Sequence, residues 1–232
     1  MDFNLAVINE AIAAAIPERE CIVFRDRRFT WRDFQHRTRR LGNFLRAQGL
    51  GAHRERRELQ NHQSGQDHVG LYLYNGNEYL EGMMGAYKAR CAPFNVNYRY
   101  VEDELIYLLN DSDCRALIYH ACFAPRVEKI LDRLPKLTVL LQVADESQHA
   151  LLPGAFGYEA ALAASSDVRP GVEWSGDDLY ILYTGGTTGM PKGVLWRQED
   201  IFFGALGGHP LGGAKFESIE QVAQVAENGS LR

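Results

Sequence analysis

Residues 183–194 read Tyr-Thr-Gly-Gly-Thr-Thr-Gly-Met-Pro-Lys-Gly-Val, and they follow the apolar run Leu179-Tyr180-Ile181-Leu182. Glycine lacks a Cβ, so successive backbone N–H groups in such a stretch can turn toward a single anion. The threonine hydroxyls add short hydrogen-bond donors, and Lys192 adds a mobile positive charge. The pattern therefore predicts a phosphate-binding loop that follows a buried strand.

The spacing of this loop differs from that of the Walker A loop of kinases and motor ATPases. That loop needs Gly, four residues and then Gly-Lys-Ser/Thr at the start of a helix. Here Met190 and Pro191 separate Gly189 from Lys192, and the apolar residues 193–196 that follow are typical of a strand. We therefore expect Lys192 on a loop, not at a helix N-terminus. A glycine-rich surface hairpin without a ligand is the alternative, which the intact Thr-Thr-Gly-x-Pro-Lys-Gly run disfavours.

The composition is that of a folded globular chain, with 46% hydrophobic and 24% charged residues among 232. A net charge of -5 argues against a nucleic-acid-binding protein, which needs a basic face. One local exception is the segment 19–57, which carries twelve arginines against four acidic residues. Apolar residues recur there at helical steps, namely Trp31, Phe34, Leu41 and Leu45, together with Thr38. We interpret the arginines as the solvated face of an amphipathic helix, rather than as a site for an anionic partner.

Cysteine and histidine spacing gives no indication of a metal site. The four cysteines are far apart and form no Cys-x-x-Cys pair: Cys21, Cys91, Cys114 and Cys122. His53, His62 and His68 lie in or beside a polar segment without metal-ligand spacing, so a solvated loop is expected there. The chain starts without a secretory signal and has no run of about 18 apolar residues. These features predict reduced thiols in a cytoplasmic protein without a transmembrane segment.

Apolar periodicity alternates between the strand and helix repeats along the chain. The alternation comprises a strand at 69–73, helices at 79–87 and 105–109, a strand at 116–119, a helix at 127–134 and a strand at 138–143. Thr30 and Asp33 have the spacing of a helix-capping pair, and Asp200 is expected to cap a helix at 201–206. The pattern predicts an α/β fold whose largely parallel sheet is covered by helices on both faces.

The run at 183–194 resembles the phosphate-loop signature of the adenylate-forming, or AMP-binding, superfamily. This superfamily includes acyl-CoA synthetases, luciferases and the adenylation domains of peptide synthetases. The likeness extends from the Thr30-Trp31 helix start through the segment 71–79 to Lys192, and it is strongest to bacterial fatty-acyl and steroid-side-chain acyl-CoA synthetases. Gly185 departs from the pattern, because family members usually carry Ser or Thr there.

The resemblance implies a fold, an activity and a set of site residues. The fold is part of the large N-terminal domain of adenylate-forming enzymes, α/β with largely parallel sheets. The activity is ATP-dependent and Mg²⁺-dependent conversion of a carboxylic acid to an acyl-adenylate, followed by transfer of the acyl group to coenzyme A. The residues implied to hold the β and γ phosphates are Thr184, Gly185, Gly186, Thr187, Thr188, Gly189 and Lys192. Thr184 is also the implied Mg²⁺ contact, and Lys192 is the implied catalytic charge.

The family's downstream motifs do not occur in this sequence. Tyr-Gly-x-Thr-Glu, Thr-Gly-Asp and the catalytic lysine of the small C-terminal domain are all absent. We therefore expect residues 1–232 to be an incomplete N-terminal AMP-binding domain that ends after the phosphate loop, without a C-terminal domain and inactive by itself. Two alternatives remain: a non-catalytic nucleotide-binding fragment, and an adenylation domain that loads a carrier protein.

Overall fold

The computed structural model describes residues 3–185, 190–210 and 213–229. The helices are α1 (Leu5–Ala15), α2 (Trp31–Ala47), α3 (Asn77–Lys88), α4 (Glu102–Asp111), α5 (Ala124–Glu128), α6 (Tyr158–Ala163), α7 (Gln198–Ala205) and α8 (Ile219–Glu227). The strands are β1 (Glu20–Phe24), β2 (Arg27–Thr30), β3 (His68–Tyr72), β4 (Ala92–Asn95), β5 (Cys114–His120), β6 (Val139–Val143), β7 (Phe156–Gly157), β8 (Leu179–Thr184) and β9 (Lys192–Arg197).

Seven strands form one sheet in the order β7-β6-β5-β3-β4-β8-β9, and β1 and β2 form a separate antiparallel pair. Every neighbouring pair in the large sheet is parallel except β8 and β9. The predicted α/β fold with a largely parallel sheet is therefore confirmed.

Alternate residues of the central strands enter two cores, one on each face of the sheet. On β5, Leu117 and Tyr119 pack in a core with α4 and α5, whereas Ala116 and Ile118 pack in a core with α2, α3 and α6. A third cluster joins α1, α7 and α8. Both faces of the central strands are covered, which explains why these strands are nearly uniformly apolar.

The start of α2 follows directly from the local sequence. Thr30 Oγ1 accepts a hydrogen bond from the Asp33 backbone N–H at 3.1 Å, and the Asp33 carboxylate accepts one from the Thr30 N–H at 2.9 Å. The predicted capping pair is therefore confirmed. The helix is followed by Gly49 with φ of +81°, a conformation that glycine adopts without strain.

Two local predictions are wrong. The expected helix at 127–134 is broken, because α5 ends at Glu128 and only a 3-10 turn follows at Leu131–Arg133. Ile130 and Leu134 are nevertheless buried, so apolar spacing alone did not fix the backbone. Asp200 lies in the first turn of α7 instead of capping it. The helix starts at Gln198, whose backbone N–H donates to the Asp178 carbonyl oxygen at 2.8 Å.

The arginines of α2 are not all solvated, which corrects the interpretation of this helix. Arg37 donates to the two carboxylate oxygens of Glu81 at 2.8 and 3.0 Å and also pairs with Glu159. Glu81 is fully buried and accepts further hydrogen bonds from Asn77 at 2.8 Å and from Tyr158 at 2.9 Å. This network ties α2, α3 and α6 together through one buried carboxylate.

A second buried ion cluster joins α1, α2 and α3. Lys88 is fully buried, and its Nζ lies 2.6 Å from Glu10 Oε1, while Arg39 donates to the same carboxylate. Burial is the largest effect on Lys88 and lowers its pKa to about 8 despite the attraction of Glu10. Burial also acts to raise the pKa of Glu10, but the hydrogen bond from Arg39 and the charge of Lys88 outweigh it, so that pKa is lowered. One carboxylate is thus shared between two cations.

Within residues 3–185, 190–210 and 213–229, no helix has both the length and the apolar character needed to cross a membrane.

Candidate functional site

The predicted phosphate loop connects β8 and β9, which form an antiparallel hairpin. Six registered pairs run from Leu179 and Arg197 to Thr184 and Lys192, so these last two residues face each other at the base of the loop. Both are exposed, and Gly185 follows at the start of the loop. Residues 186–189, the remaining predicted phosphate contacts, lie outside the described residues.

Lys192 is the first residue of β9, which corrects its expected position on a loop. The absence of a helix at this position agrees with the sequence analysis. Cross-strand pairing with Thr184 extends the strand by one residue beyond the apolar run at 193–196. A strand position fixes the Cα of Lys192, while its long side chain keeps its rotational freedom.

The loop lies at the carboxyl edge of the sheet. Strand β8 runs parallel to β4, and the loop follows the carboxyl end of β8. Ligands of open α/β sheets bind outside the carboxyl ends of the strands. The hairpin therefore brings Thr184, Gly185 and Lys192 to the edge where a ligand is expected.

Helix α4 holds both arms of the hairpin. The hydroxyl of Tyr183 on the first arm donates to Asp111 Oδ2 at 2.8 Å. The hydroxyl of Tyr107, one turn earlier on α4, donates to the carbonyl oxygen of Pro191 on the second arm at 3.0 Å. Burial, together with the hydrogen bond to Asp111, raises the pKa of Tyr183, so its hydroxyl remains a neutral donor.

This attachment was not predicted from the sequence. Tyr107 and Asp111 have the i, i+4 spacing that places two side chains on one helix face, which is the only local signal of it. Their partners are 84 and 72 residues away along the chain. The attachment fixes the two ends of the loop relative to each other.

The ring of Tyr183 leaves no room for a side chain at Gly193. This glycine pairs across the hairpin with Tyr183, and a Cβ at this position would lie 2.9 Å from Cζ of that ring. The ring also packs against Phe94, with 5.7 Å between the centroids. The glycine after Lys192 therefore makes room for the side chain that links β8 to α4.

Hydrogen-bond donors and a cation dominate the described part of the site. The Thr184 hydroxyl, the backbone at Gly185 and the Lys192 ammonium suit an anion such as a phosphate. Among the described residues, no three His, Cys, Asp or Glu side chains are grouped in a way that could hold a metal ion. His53 instead contacts Asp67, with 2.6 Å between Nε2 and Oδ2.

Comparison with known proteins gives a consistent family match. The family described as AMP-binding enzyme matches residues 9–218. The medium-chain acyl-CoA ligase Mig of Mycobacterium avium is 56% identical over 228 residues, which cover 98% of this chain and 42% of that protein. The 3-oxocholest-4-en-26-oate–CoA ligase of Rhodococcus rhodochrous is 38% identical over 234 residues, covering 99% of this chain and 39% of that protein. The chain thus spans about two fifths of the length of these curated relatives.

The fold also matches solved structures. The crystal structure of the anthranilate CoA ligase AuaEII in complex with anthranoyl-AMP superposes with a TM-score of 0.77 at 22% identity. The match covers 91% of this chain and 38% of that chain. At this identity the likeness shows the fold, and it agrees with the sheet and helices described above.

Proposed function

Because this chain belongs to the family of AMP-binding enzymes, we propose that the protein activates a carboxylic acid with ATP and then forms its coenzyme A thioester. The observation that carries the proposal is the hairpin, which sets Thr184 beside Lys192 at the carboxyl edge of the sheet. The acyl-CoA ligases among its relatives support a medium-chain fatty acid or a steroid side-chain acid as the substrate class.

The donors of the loop fit a polyphosphate. We assign Thr184, Gly185, Lys192 and the loop residues 186–189 to the β and γ phosphates of ATP. The Thr184 hydroxyl fits as a single protein ligand of Mg²⁺, an ion that usually keeps water and phosphate oxygens as its other ligands. Bound Mg²⁺ would supply positive charge against the phosphates.

In the first half-reaction, a carboxylate oxygen of the acid bonds to the α-phosphorus, and the bond from that phosphorus to pyrophosphate breaks. Negative charge grows on the departing pyrophosphate. The Lys192 ammonium and the loop N–H donors stabilise this charge as it develops. In the second half-reaction the thiol of coenzyme A loses its proton to solvent and its sulfur bonds to the acyl carbon. The bond from that carbon to the phosphate oxygen of AMP breaks, and AMP leaves.

The test is acid-dependent exchange of labelled pyrophosphate into ATP, measured on the full-length protein with a panel of fatty and steroid acids. Exchange with at least one acid, followed by thioester formation with coenzyme A, supports the proposal. Exchange that depends on an amino acid, with transfer to a carrier protein, would favour a peptide-synthetase adenylation domain instead. If no acid supports exchange, the proposal fails.

Lys192→Ala tests the role of the lysine itself. If its ammonium follows the charge on pyrophosphate, kcat for adenylation should fall more than KM for ATP rises. One lost electrostatic donor corresponds to a decrease in kcat on the order of 10- to 1000-fold. Lys129→Ala, at a lysine whose side chain is 69% exposed and lies outside the hairpin, is the matched control. A change of less than about twofold in both constants for Lys192→Ala would show that the lysine only solvates the turn.

A further inference from the structure

A crevice opens at the carboxyl ends of β3, β5 and β6. Its volume is about 640 Å³, within the range of about 300–1,000 Å³ that is usual for small-molecule sites. Its wall is formed by the loops that follow these three strands and by the turn between β1 and β2, and the loops contribute Tyr74, Asn75, His120, Cys122 and Asp145. Within the described part of the chain, no residue of β8 or β9 lines it.

The crevice lies where the strand connections reverse their direction across the sheet. Strand β3 connects through α3 to β4 on one side of it, and β4 connects through α4 back to β5 on the other side. The loop after β3 leads to α3 on one face of the sheet, whereas the loop after β5 leads to α5 on the opposite face. The two loops therefore part and leave a space between them, which is where doubly wound sheets bind ligands.

The two arginines of the crevice are already paired. Arg25 Nη1 lies 2.9 Å from Glu146 Oε1. Arg27 Nη1 lies 2.7 Å from Glu78 Oε1, which belongs to a buried side chain. A phosphate would find no unpaired cation among the described residues that line the crevice, and it would meet four carboxylates against two arginines. The crevice therefore disfavours an anion.

The other two carboxylates offer little to an amine. Asp145 accepts hydrogen bonds from the backbone N–H of Cys122 at 2.8 Å and from that of Ser147 at 2.9 Å. Asp26 lies in the exposed turn between β1 and β2, where solvent and salt screen its charge. An uncharged ligand is therefore the best match to the crevice.

His120 presents a hydrogen-bond donor to the crevice. Its Nδ1 accepts the backbone N–H of Tyr74 at 3.1 Å, so in the neutral imidazole the proton is on Nε2. Burial lowers the pKa of His120, which favours this neutral form at pH 7.5. Nε2 makes no hydrogen bond with any described residue and remains accessible, so it is available to a ligand.

The ring of Tyr74 forms a flat surface beside this donor. It is 45% exposed, although other rings surround it. The distances between ring centroids are 5.0 Å to Tyr98, 5.1 Å to Phe123 and 5.7 Å to His120. An aromatic ring that is held by its neighbours and still exposed is suited to stack on a flat heterocycle.

We propose that this crevice binds an uncharged nucleobase or nucleoside, with the base stacked on Tyr74 and one of its acceptor atoms bonded to Nε2 of His120. Nucleobases combine a flat ring with donors and acceptors at its edge. The exposed amide of Asn75 and the hydroxyl of Tyr74 are further partners for these groups. The proposal does not rest on the function proposed above, because ATP, coenzyme A and the carboxylic acid are all anions.

Direct binding tests the proposal without any turnover. Titration calorimetry of the 232-residue chain at pH 7.5 compares cytidine with CMP, ribose and benzylamine. CMP adds a phosphate, ribose lacks the base, and benzylamine carries a positive charge on an aromatic ring. We expect cytidine to bind about tenfold or more tighter than each of the others. Absence of cytidine binding, or binding of CMP or benzylamine as tight as that of cytidine, would overturn the proposal.

Variants locate the site. Tyr74→Leu removes the flat ring and should weaken cytidine binding about 5- to 150-fold, whereas Tyr74→Phe keeps the ring and should stay within about threefold of the wild type. His120→Leu removes the donor and should weaken binding about 2- to 10-fold. His209→Leu, at an exposed histidine that does not line the crevice, is the matched control and should change nothing. Wild-type affinity in Tyr74→Leu contradicts the assignment.

The full-length protein provides the final test, with saturating ATP present to occupy the phosphate-binding loop. Cytidine should bind with the same affinity as in the 232-residue chain, and Tyr74→Leu should weaken binding by the same factor. Loss of cytidine binding in the full-length wild type would show that another part of the protein covers the crevice. Unweakened binding in the full-length Tyr74→Leu variant would place the ligand elsewhere. Either result would overturn the proposal, whether or not the protein forms acyl-CoA.

Discussion

Gly193→Ala is the most direct test of how the hairpin is built. The added methyl group would lie 2.9 Å from Tyr183 Cζ, which is closer than two carbon atoms approach without a shift, and 3.2 Å from Ile181 Cγ2, which is a tight contact. The tyrosine ring cannot simply swing away, because its hydroxyl is held by Asp111 at 2.8 Å. The strands must therefore shift, or the tether to α4 must lengthen.

The expected cost follows from two opposing contributions. Overpacking of this kind costs about 1–3 kcal/mol. Replacing glycine by alanine also restricts the unfolded chain, which stabilises the folded protein by about 0.4–1 kcal/mol where the native backbone is compatible. The overpacking term is larger, so Gly193→Ala should lower the free energy of unfolding by about 1–2 kcal/mol. For a chain of this size, that corresponds to a decrease in Tm of about 2–8 °C.

Urea denaturation followed by circular dichroism measures the effect, with Gly171→Ala as the matched control. No atom lies within 4 Å of a Cβ built on Gly171, so only the restriction of the unfolded chain acts there, and stability should stay equal or rise. Tyr183→Leu removes the clashing ring, and in a double-mutant cycle it should recover about 0.5 kcal/mol or more of the cost of Gly193→Ala. The steric argument is refuted if the two glycine variants are equally stable, or if the cycle is additive.

Three further predictions concern other contacts. Tyr107→Phe removes the hydrogen bond between α4 and the Pro191 carbonyl oxygen. In the full-length protein it should raise KM for ATP by about 2- to 10-fold, as expected for one hydrogen bond of about 0.5–1.5 kcal/mol. An unchanged KM would show that this hydrogen bond does not contribute to ATP binding. The pKa of Lys88 is lowered to about 8 from 10.5, so the unfolded chain binds more protons above pH 8 and the lysine's contribution to stability rises with pH. The unfolding free energy of the wild type relative to Lys88→Met should therefore increase by about 2 kcal/mol between pH 7 and 9.5. A difference that stays constant with pH would contradict the lowered pKa of Lys88. Glu81→Gln should destabilise the protein by on the order of 3 kcal/mol because it breaks a buried ion pair. Glu159→Gln changes a side chain that is 67% exposed and should cost less than about 1 kcal/mol. Equal urea midpoints for the two variants would refute the expected difference between the buried and the exposed carboxylate.

The elements that the sequence predicted correctly depend on neighbouring residues. The capping pair of Thr30 and Asp33 acts within one helical turn, and the alternation of strand and helix periods reflects burial of whole elements. The strands on either side of the glycine-rich turn were also predicted, because each is a short apolar run. Their antiparallel pairing was not predicted. Residues 186–189 lie outside the described part of the chain, and their contact with phosphate stays a prediction.

The contacts that the sequence did not predict join residues far apart in the chain. Arg37 of α2 finds Glu81 44 positions away, so the spacing of the arginines could not reveal which of them are buried. The attachment of both loop arms to α4 has the same origin. Side-chain periodicity identifies the face of a helix that is buried, but it does not identify the polar partner that meets it there.

The pairing of β8 has a consequence for how the protein opens. Strand β8 shares one registered pair with β4, Phe94 and Ile181, but six with β9. Backbone amides exchange with solvent when cooperative units of the structure open. We expect the contact between β4 and β8 to be the boundary between two such units. Hydrogen exchange in the hairpin should therefore proceed by a local opening of lower free energy than the exchange of β3 and β5. Opening of the hairpin is then expected to leave the central sheet intact.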